Sequence, residues 1–358
     1  MSLIAARRYS SCMHGGRVGH LVDRHPTVSP ERLIAQLRPP PTFADVSFAS
    51  YRPDPREPSQ AAAVAACQDF CRQAVERRAG RRKLLGKRAV LPGVGLYLDG
   101  GFGVGKTHLL ASAYYQLPGE GPEPPTPKAF ATFGELTQLA GVFGYVECID
   151  MLAGYTAVCI DEFELDDPGN TTLISRLLSS LVERGVSVAA TSNTLPEQLG
   201  EGRFAAQDFL REINTLASIF TTVRIEGPDY RHRGLPLAPQ PLSDEEVAAR
   251  AATVDGATLD DFDALCAHLA TMHPSRYLTL IEGVTAVFLT GVHGIDDQNV
   301  ALRLVSLTDR LYDAGIPVVA SGAPLDTVFS EEMLAGGYRK KYLRATSRLV
   351  ALTQAREP

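Results

Sequence analysis

The sequence predicts an α/β fold in which a parallel sheet is sandwiched by helices, with a C-terminal α/β lid region. Short apolar runs at residues 94–99, 128–133, 157–160, 186–190 and 220–225 fit strands buried on both faces. Helix-like stretches lie between them, so strand and helix alternate as a parallel sheet requires. A chain of 358 residues that is 45% hydrophobic can also bury a core of this size.

Residues 1–42 are rich in Arg, Gly and Pro and are expected to be a flexible N-terminal segment with a short helix near 30–37. The core domain is expected over 43–235. It opens with an Ala-rich helix at 59–78, started by Pro58-Ser59. The strand at 94–99 leads into a helix at 108–116. A loop with five prolines and two glycines, 118–127, connects to the next strand. Residues 171–184 carry an apolar stripe of Leu173, Leu177, Leu178 and Leu181, stopped by Gly185. The Pro-rich stretch 234–241 marks a boundary. The lid or accessory domain is expected over 242–358. It comprises a helix from Ser243, a helix at 259–272, a strand at 286–289, a helix at 298–314, a strand at 317–320 and a basic C-terminal helix.

The strand at 94–99 runs into Gly100-Gly101-Phe102-Gly103-Val104-Gly105-Lys106-Thr107, a GxxxxGK[ST] loop, and then into a helix beginning near His108. Glycines let the backbone curl so that its N–H groups face a phosphate, and the helix N-terminus adds partial positive charge. Lys106 supplies a point charge for the β- and γ-phosphates, and the Thr107 hydroxyl a ligand for Mg²⁺. The buried run Ala157-Val158-Cys159-Ile160 ends in Asp161-Glu162, where a parallel sheet presents its carboxyl edge to ligands. Asp161 is expected to hold Mg²⁺ and Glu162 to act as base on the attacking water. Asn193, after Thr191-Ser192, fits a sensor near the γ-phosphate, with a plain turn before Pro196 as the alternative. These motifs make the chain a P-loop protein expected to bind ATP with Mg²⁺ and hydrolyse it.

The net charge is −6, so the molecule as a whole is not a polyanion binder and nucleic acid is an unlikely partner. Local exceptions are the run from Arg77 to Arg88, seven bases in twelve residues, and Arg339-Lys340-Lys341. Each reads as a solvated helix end or as a surface for phosphates, including peripheral contact with a membrane. No apolar run is long enough to span a bilayer, and the first sixteen residues lack the apolar stretch of a secretory leader. Six scattered cysteines fit reduced buried thiols. A cytoplasmic location is the expectation.

Beyond the loop, the residues resemble the ZapE family of cell-division ATPases, related to AFG-type ATPases of the AAA+ class. The resemblance rests on Phe48-Ala49-Ser50-Tyr51-Arg52-Pro53 with Pro58-Ser59-Gln60, on Ile160-Asp161-Glu162-Phe163-Glu164-Leu165-Asp166-Asp167, on Ala190-Thr191-Ser192-Asn193, on Asp229-Tyr230-Arg231 and on Arg344-Ala345-Thr346-Ser347-Arg348-Leu349. It implies an AAA+-like ATPase that remodels or regulates a tubulin-like division-ring protein and forms an ATP-dependent homo-oligomer. It also implies adenine contacts from Tyr51 and Gln60. The family's arginine finger is displaced here, leaving Arg203 and Arg211 as candidates. A helicase-loader-like ATPase acting on nucleic acid is the competing class, and a nucleotide-gated binding module with negligible turnover is a third.

Residues 287–325 echo 158–195 in spacing, with Leu307 for Leu177, Gly315 for Gly185 and Ala320 for Ala190, while Thr290 and Gly291 stand where the carboxylates stand. The echo predicts a non-catalytic βαβ unit with parallel strands. It would dock the C-terminal helix, whose Arg344 or Arg348 would reach the nucleotide.

Overall fold

The structure is a computed structural model that describes residues 18–354 except 28, 80–81, 85–86, 102, 119–126, 166–167, 200–208 and 229–238. The chain divides into two units. One comprises residues 27–236 with 335–340, and the other joins the N-terminal residues up to 26 with 237–334 and 341–358.

In the first unit the elements run α1 (Pro30–Ala35), α2 (Pro58–Ala79), β1 (Arg82–Leu84), β2 (Lys87–Ala89), β3 (Gly95–Gly100), α3 (Lys106–Gln116), β4 (Lys128–Thr132), α4 (Phe133–Phe143), α5 (Tyr145–Leu152), β5 (Ala157–Asp161), α6 (Pro168–Glu183), β6 (Ser187–Ser192), α7 (Leu210–Ile219) and β7 (Thr221–Ile225). The sheet has the order β4-β5-β6-β3-β7, with every pairing parallel. Period-two alternation splits β3, β4, β5 and β6 between two cores, whereas the edge strand β7 buries only Ile225 and so is not the strand buried on both faces that was expected. Tyr97, Val158, Ile160, Val188 and Ala190 pack with α4, α5, α6 and α7 on one face. Leu96, Leu98, Ala157, Cys159 and Ala189 pack with α2 and α3 on the other. The expected sandwich is therefore the observed one.

In the second unit the elements are α8 (Asp244–Ala251), β8 (Ala257–Asp261), α9 (Phe262–Ala270), α10 (Tyr277–Leu280), β9 (Ala286–Val292), α11 (Gln298–Ala314), β10 (Val318–Gly322), α12 (Glu331–Ala335) and α13 (Arg339–Gln354). A three-stranded parallel sheet has the order β10-β9-β8. The echo unit is thus a parallel βαβ, β9-α11-β10, as its spacing predicted.

Three expectations are corrected. Parts of the N-terminal segment are tied down: Gly19 pairs with Thr258, Leu21 is fully buried, and the N–H groups of Leu21 and Val22 donate to the Asp260 carboxylate. Leu33 and Leu37 enter the first unit's core. Residues 257–261 form a strand rather than the start of a helix, because Asp261 caps α9 through the Ala264 N–H and ends the extended run there. The basic run leaves α2 at Ala79 and continues as an antiparallel hairpin with Lys83 opposite Arg88.

Candidate nucleotide site

The site stands at the carboxyl ends of β3, β5 and β6, where the strand directions converge on one edge. The loop after β3 turns back at Gly103 and Gly105, both at positive φ. Gly105 has φ 87°, and a Cβ there would lie 2.5 Å from the Tyr51 ring, so no other residue fits both the backbone and its neighbour. Tyr51 also donates its hydroxyl to the Val104 carbonyl at 2.8 Å. The strap before α2 therefore clamps the loop from outside. His108, in the first turn of α3, shares a hydrogen bond with Ser50 Oγ at 2.9 Å and stacks edge-on against Tyr51. Gln60 is buried and spends its amide on backbone, accepting the Asp54 N–H at 2.8 Å and donating to the Glu226 carbonyl at 3.0 Å.

Lys106 Nζ donates to the carbonyls of Gly100 and Gly101 and to Asn193 Oδ1, at 2.8, 2.6 and 2.8 Å. The loop lysine and Asn193 thus meet directly. Asn193 is presented by a fixed turn, in which Thr194 N–H donates to Ser192 Oγ at 3.1 Å and the buried Tyr97 hydroxyl donates to the Thr194 carbonyl at 2.7 Å. Thr107 Oγ1 lies 3.2 and 3.1 Å from the two Asp161 oxygens. A hydroxyl and a largely buried carboxylate, both hard oxygen donors converging on one spot, fit a hard divalent cation such as Mg²⁺. Glu162, next along, has φ 53° and is the one non-glycine residue at positive φ among the described residues.

Gly100, Gly101, Gly103, Val104, Gly105, Lys106, Thr107, Asp161, Glu162 and Asn193 are therefore brought to one edge. Phe102 and Arg203 lie outside the described residues. Arg211 is exposed on α7. Arg344 and Arg348 are turned elsewhere: both are buried in the second unit and bind the Asp309 carboxylate, Arg344 at 2.8 Å, which corrects their expected reach to nucleotide. Thr191, to which the sequence pattern assigns no role, hydrogen-bonds Asp161 and accepts the Glu162 N–H. Nor does the sequence pattern single out Asp99, buried on β3 just before the loop and paired with Arg224 of β7 at 3.0 Å. The thiols are free and buried at Cys67, Cys71, Cys148, Cys159 and Cys266. Burial pushes Cys71 up to about 12 and Cys148 to about 11, so they are inert packing groups.

The model of the family described as AFG1-like ATPase matches residues 27–241 and 235–357. The chain belongs to the AFG1-like ATPase family. This AFG1-like ATPase is 28% identical over 306 residues to the cell division protein ZapE of Escherichia coli K12, covering 75% of this chain and 80% of that one. It is 26% identical over 218 residues to lactation elevated protein 1 homolog B of Danio rerio, covering 50% of this chain and 42% of the other. Among solved structures, domain III of the Thermotoga maritima replication initiation protein DnaA aligns at 19% identity with a TM-score of 0.38, over 53% of this chain and 69% of that one. No described helix is long and apolar enough to cross a membrane.

Proposed function

We propose that this AFG1-like ATPase hydrolyses ATP at the carboxyl edge of the five-stranded sheet and uses the cycle to remodel a protein partner, the division-ring polymer. The observation that carries the chemistry is the adjoining pair of contacts, Thr107 to Asp161 and Lys106 to Asn193. The loop N–H groups and the N-terminus of α3 receive the phosphates, and Lys106 adds a point charge beside them. Thr107 and Asp161 are the residues that would hold Mg²⁺, which when bound supplies charge neutralisation at the β- and γ-phosphates. Glu162 accepts a proton from water as its oxygen attacks the γ-phosphorus. The bond to the bridging oxygen breaks, ADP leaves with that electron pair, and Asn193 orients the water or the γ-phosphate. Arg203 or Arg211 of a neighbouring copy completes the site in an ATP-dependent homo-oligomer. Tyr51 lines the adenine side, while Gln60, whose amide is bound to backbone, holds the strap behind it.

The choice of partner rests on the likeness to ZapE, whose name describes a cell division protein. A cytoplasmic location agrees with that reading. The test is steady-state ATP turnover by the full chain, alone and with filaments of a tubulin-like division protein or with DNA. Turnover raised by the filaments supports the reading. Turnover raised only by DNA, with a steep loss on adding salt, moves it to nucleic acid.

A further inference from the structure

At the end of β6, Thr191 makes contacts that the chemistry so far leaves unused. It is 2% exposed. Its hydroxyl donates to Asp161 Oδ1 and accepts the Glu162 N–H at 3.1 Å. Its carbonyl accepts the Phe163 N–H at 2.7 Å. One residue therefore holds three consecutive residues of the neighbouring strand end. A threonine hydroxyl has one proton to give, and here it goes to the carboxylate. That bond occupies Oδ1 of Asp161, while Thr107 faces both oxygens. The second bond fixes Glu162 in a left-handed conformation that a residue with a Cβ adopts at a cost of about 1–2 kcal/mol.

The second unit supplies an internal control. At the end of β10, Ser321 Oγ accepts the N–H of Gly291, again at 3.1 Å, and Gly291 has φ 68°. The backbone device is the same, with a hydroxyl on one strand end receiving the N–H of a left-handed residue on the next. There the left-handed residue is glycine, as backbone preference dictates. In the nucleotide site it is glutamate, so the strain serves the side chain.

We infer that Thr191 is a positioning residue that sets the Asp161 carboxylate for the divalent cation and aims Glu162 at the γ-phosphate. This rests on the hydrolytic reading above. The test uses the full chain with Thr191→Val, which keeps the shape and removes the hydroxyl, and Thr191→Ser, which restores it. Mg²⁺ is titrated into each chain with a fluorescent ATP analogue, and ATP turnover is measured in parallel. For Thr191→Val, half-saturating Mg²⁺ rises about 10-fold or more, the size expected for removing an outer partner of a metal ligand. Its kcat falls about 10²-fold while KM for ATP and metal-free ADP binding hold, and Thr191→Ser recovers both. Unchanged Mg²⁺ dependence and kcat in Thr191→Val overturn the inference. So does an equal loss in Thr191→Ser, or a fall in metal-free ADP affinity that tracks a fall in Tm, since either marks a packing role. If the unsubstituted chain binds Mg–ATP but hydrolyses none, the hydrolytic reading fails, and the Mg²⁺ titration alone decides whether Thr191 positions Asp161.

Discussion

The two parallel sheets of this AFG1-like ATPase are built alike and equipped differently. In each, buried strands alternate with a helix that carries a leucine stripe and stops at a left-handed glycine, Gly185 after α6 and Gly315 after α11. In the first, the strand ends carry Asp161, Glu162 and Asn193. In the second, the matching positions are Thr290, Gly291 and Ala323, and no GxxxxGK[ST] loop precedes them. Packing forces the shared part, because a strand buried on both faces must be apolar and its helix must cover it. Nothing in packing requires two carboxylates at a strand end, and Glu162 at φ 53° departs from backbone preference where the proposed chemistry would stand.

Each prediction tests that division of labour. Lys106→Ala gives the largest effect: nucleotide binding is lost in a direct titration, because the lysine beside the phosphates is gone. Retained affinity would mean that the loop of the first sheet is not the phosphate site.

The second unit's conspicuous charges should act on stability. Asp309 sits between Arg344 and Arg348. Burial alone would raise its carboxyl, but the two guanidiniums outweigh burial and hold it below the usual carboxylate range. Removing it takes from two buried guanidiniums the carboxylate they share, a loss of about 3–5 kcal/mol. Denaturant unfolding of Asp309→Ala should show that loss, while the nucleotide affinity of the folded fraction holds. Because the folded value is depressed, this stabilisation is complete above the unfolded carboxyl's pKa of about 3.9. It disappears as pH falls through the folded value. An acid transition identical in Asp309→Ala and the unsubstituted chain contradicts the ion-pair account.

Glu162→Gly has a smaller effect on stability, opposite in sign. Relief of the left-handed strain and the added freedom of glycine in the unfolded chain nearly offset each other, so stability should hold or rise by up to about 1 kcal/mol. A loss above that value would show that the Glu162 side chain serves the fold.

Much of this was legible in the sequence. Strands β3, β5 and β6 centre on the short apolar runs 96–98, 157–160 and 188–190, and the loop and carboxylate pair stand just after such runs. The parallel pairing of β9 with β10 followed from spacing alone. What could not be read depends on partners distant in the chain. Residues 18–22 look like part of a flexible leader until their bonds to β8, some 240 residues on, are seen. Leu259, Phe262, Leu265, Cys266 and Leu269 suggest one helix, and only the Asp261 cap divides strand from helix. Arg344 and Arg348 are cations near a suspected lid, and Asp309, on a different helix, decides where they go. Gln60 could have faced a base, but tertiary structure ties its amide to backbone at Asp54 and Glu226.

The most direct test of the central claim is phosphate release by Glu162→Gln measured beside its ATP affinity. The amide keeps the shape and loses the base, so ATP should bind as in the unsubstituted chain while release slows by about 10²–10⁴-fold. Release at the unsubstituted rate would contradict the assignment of hydrolysis to the end of β5.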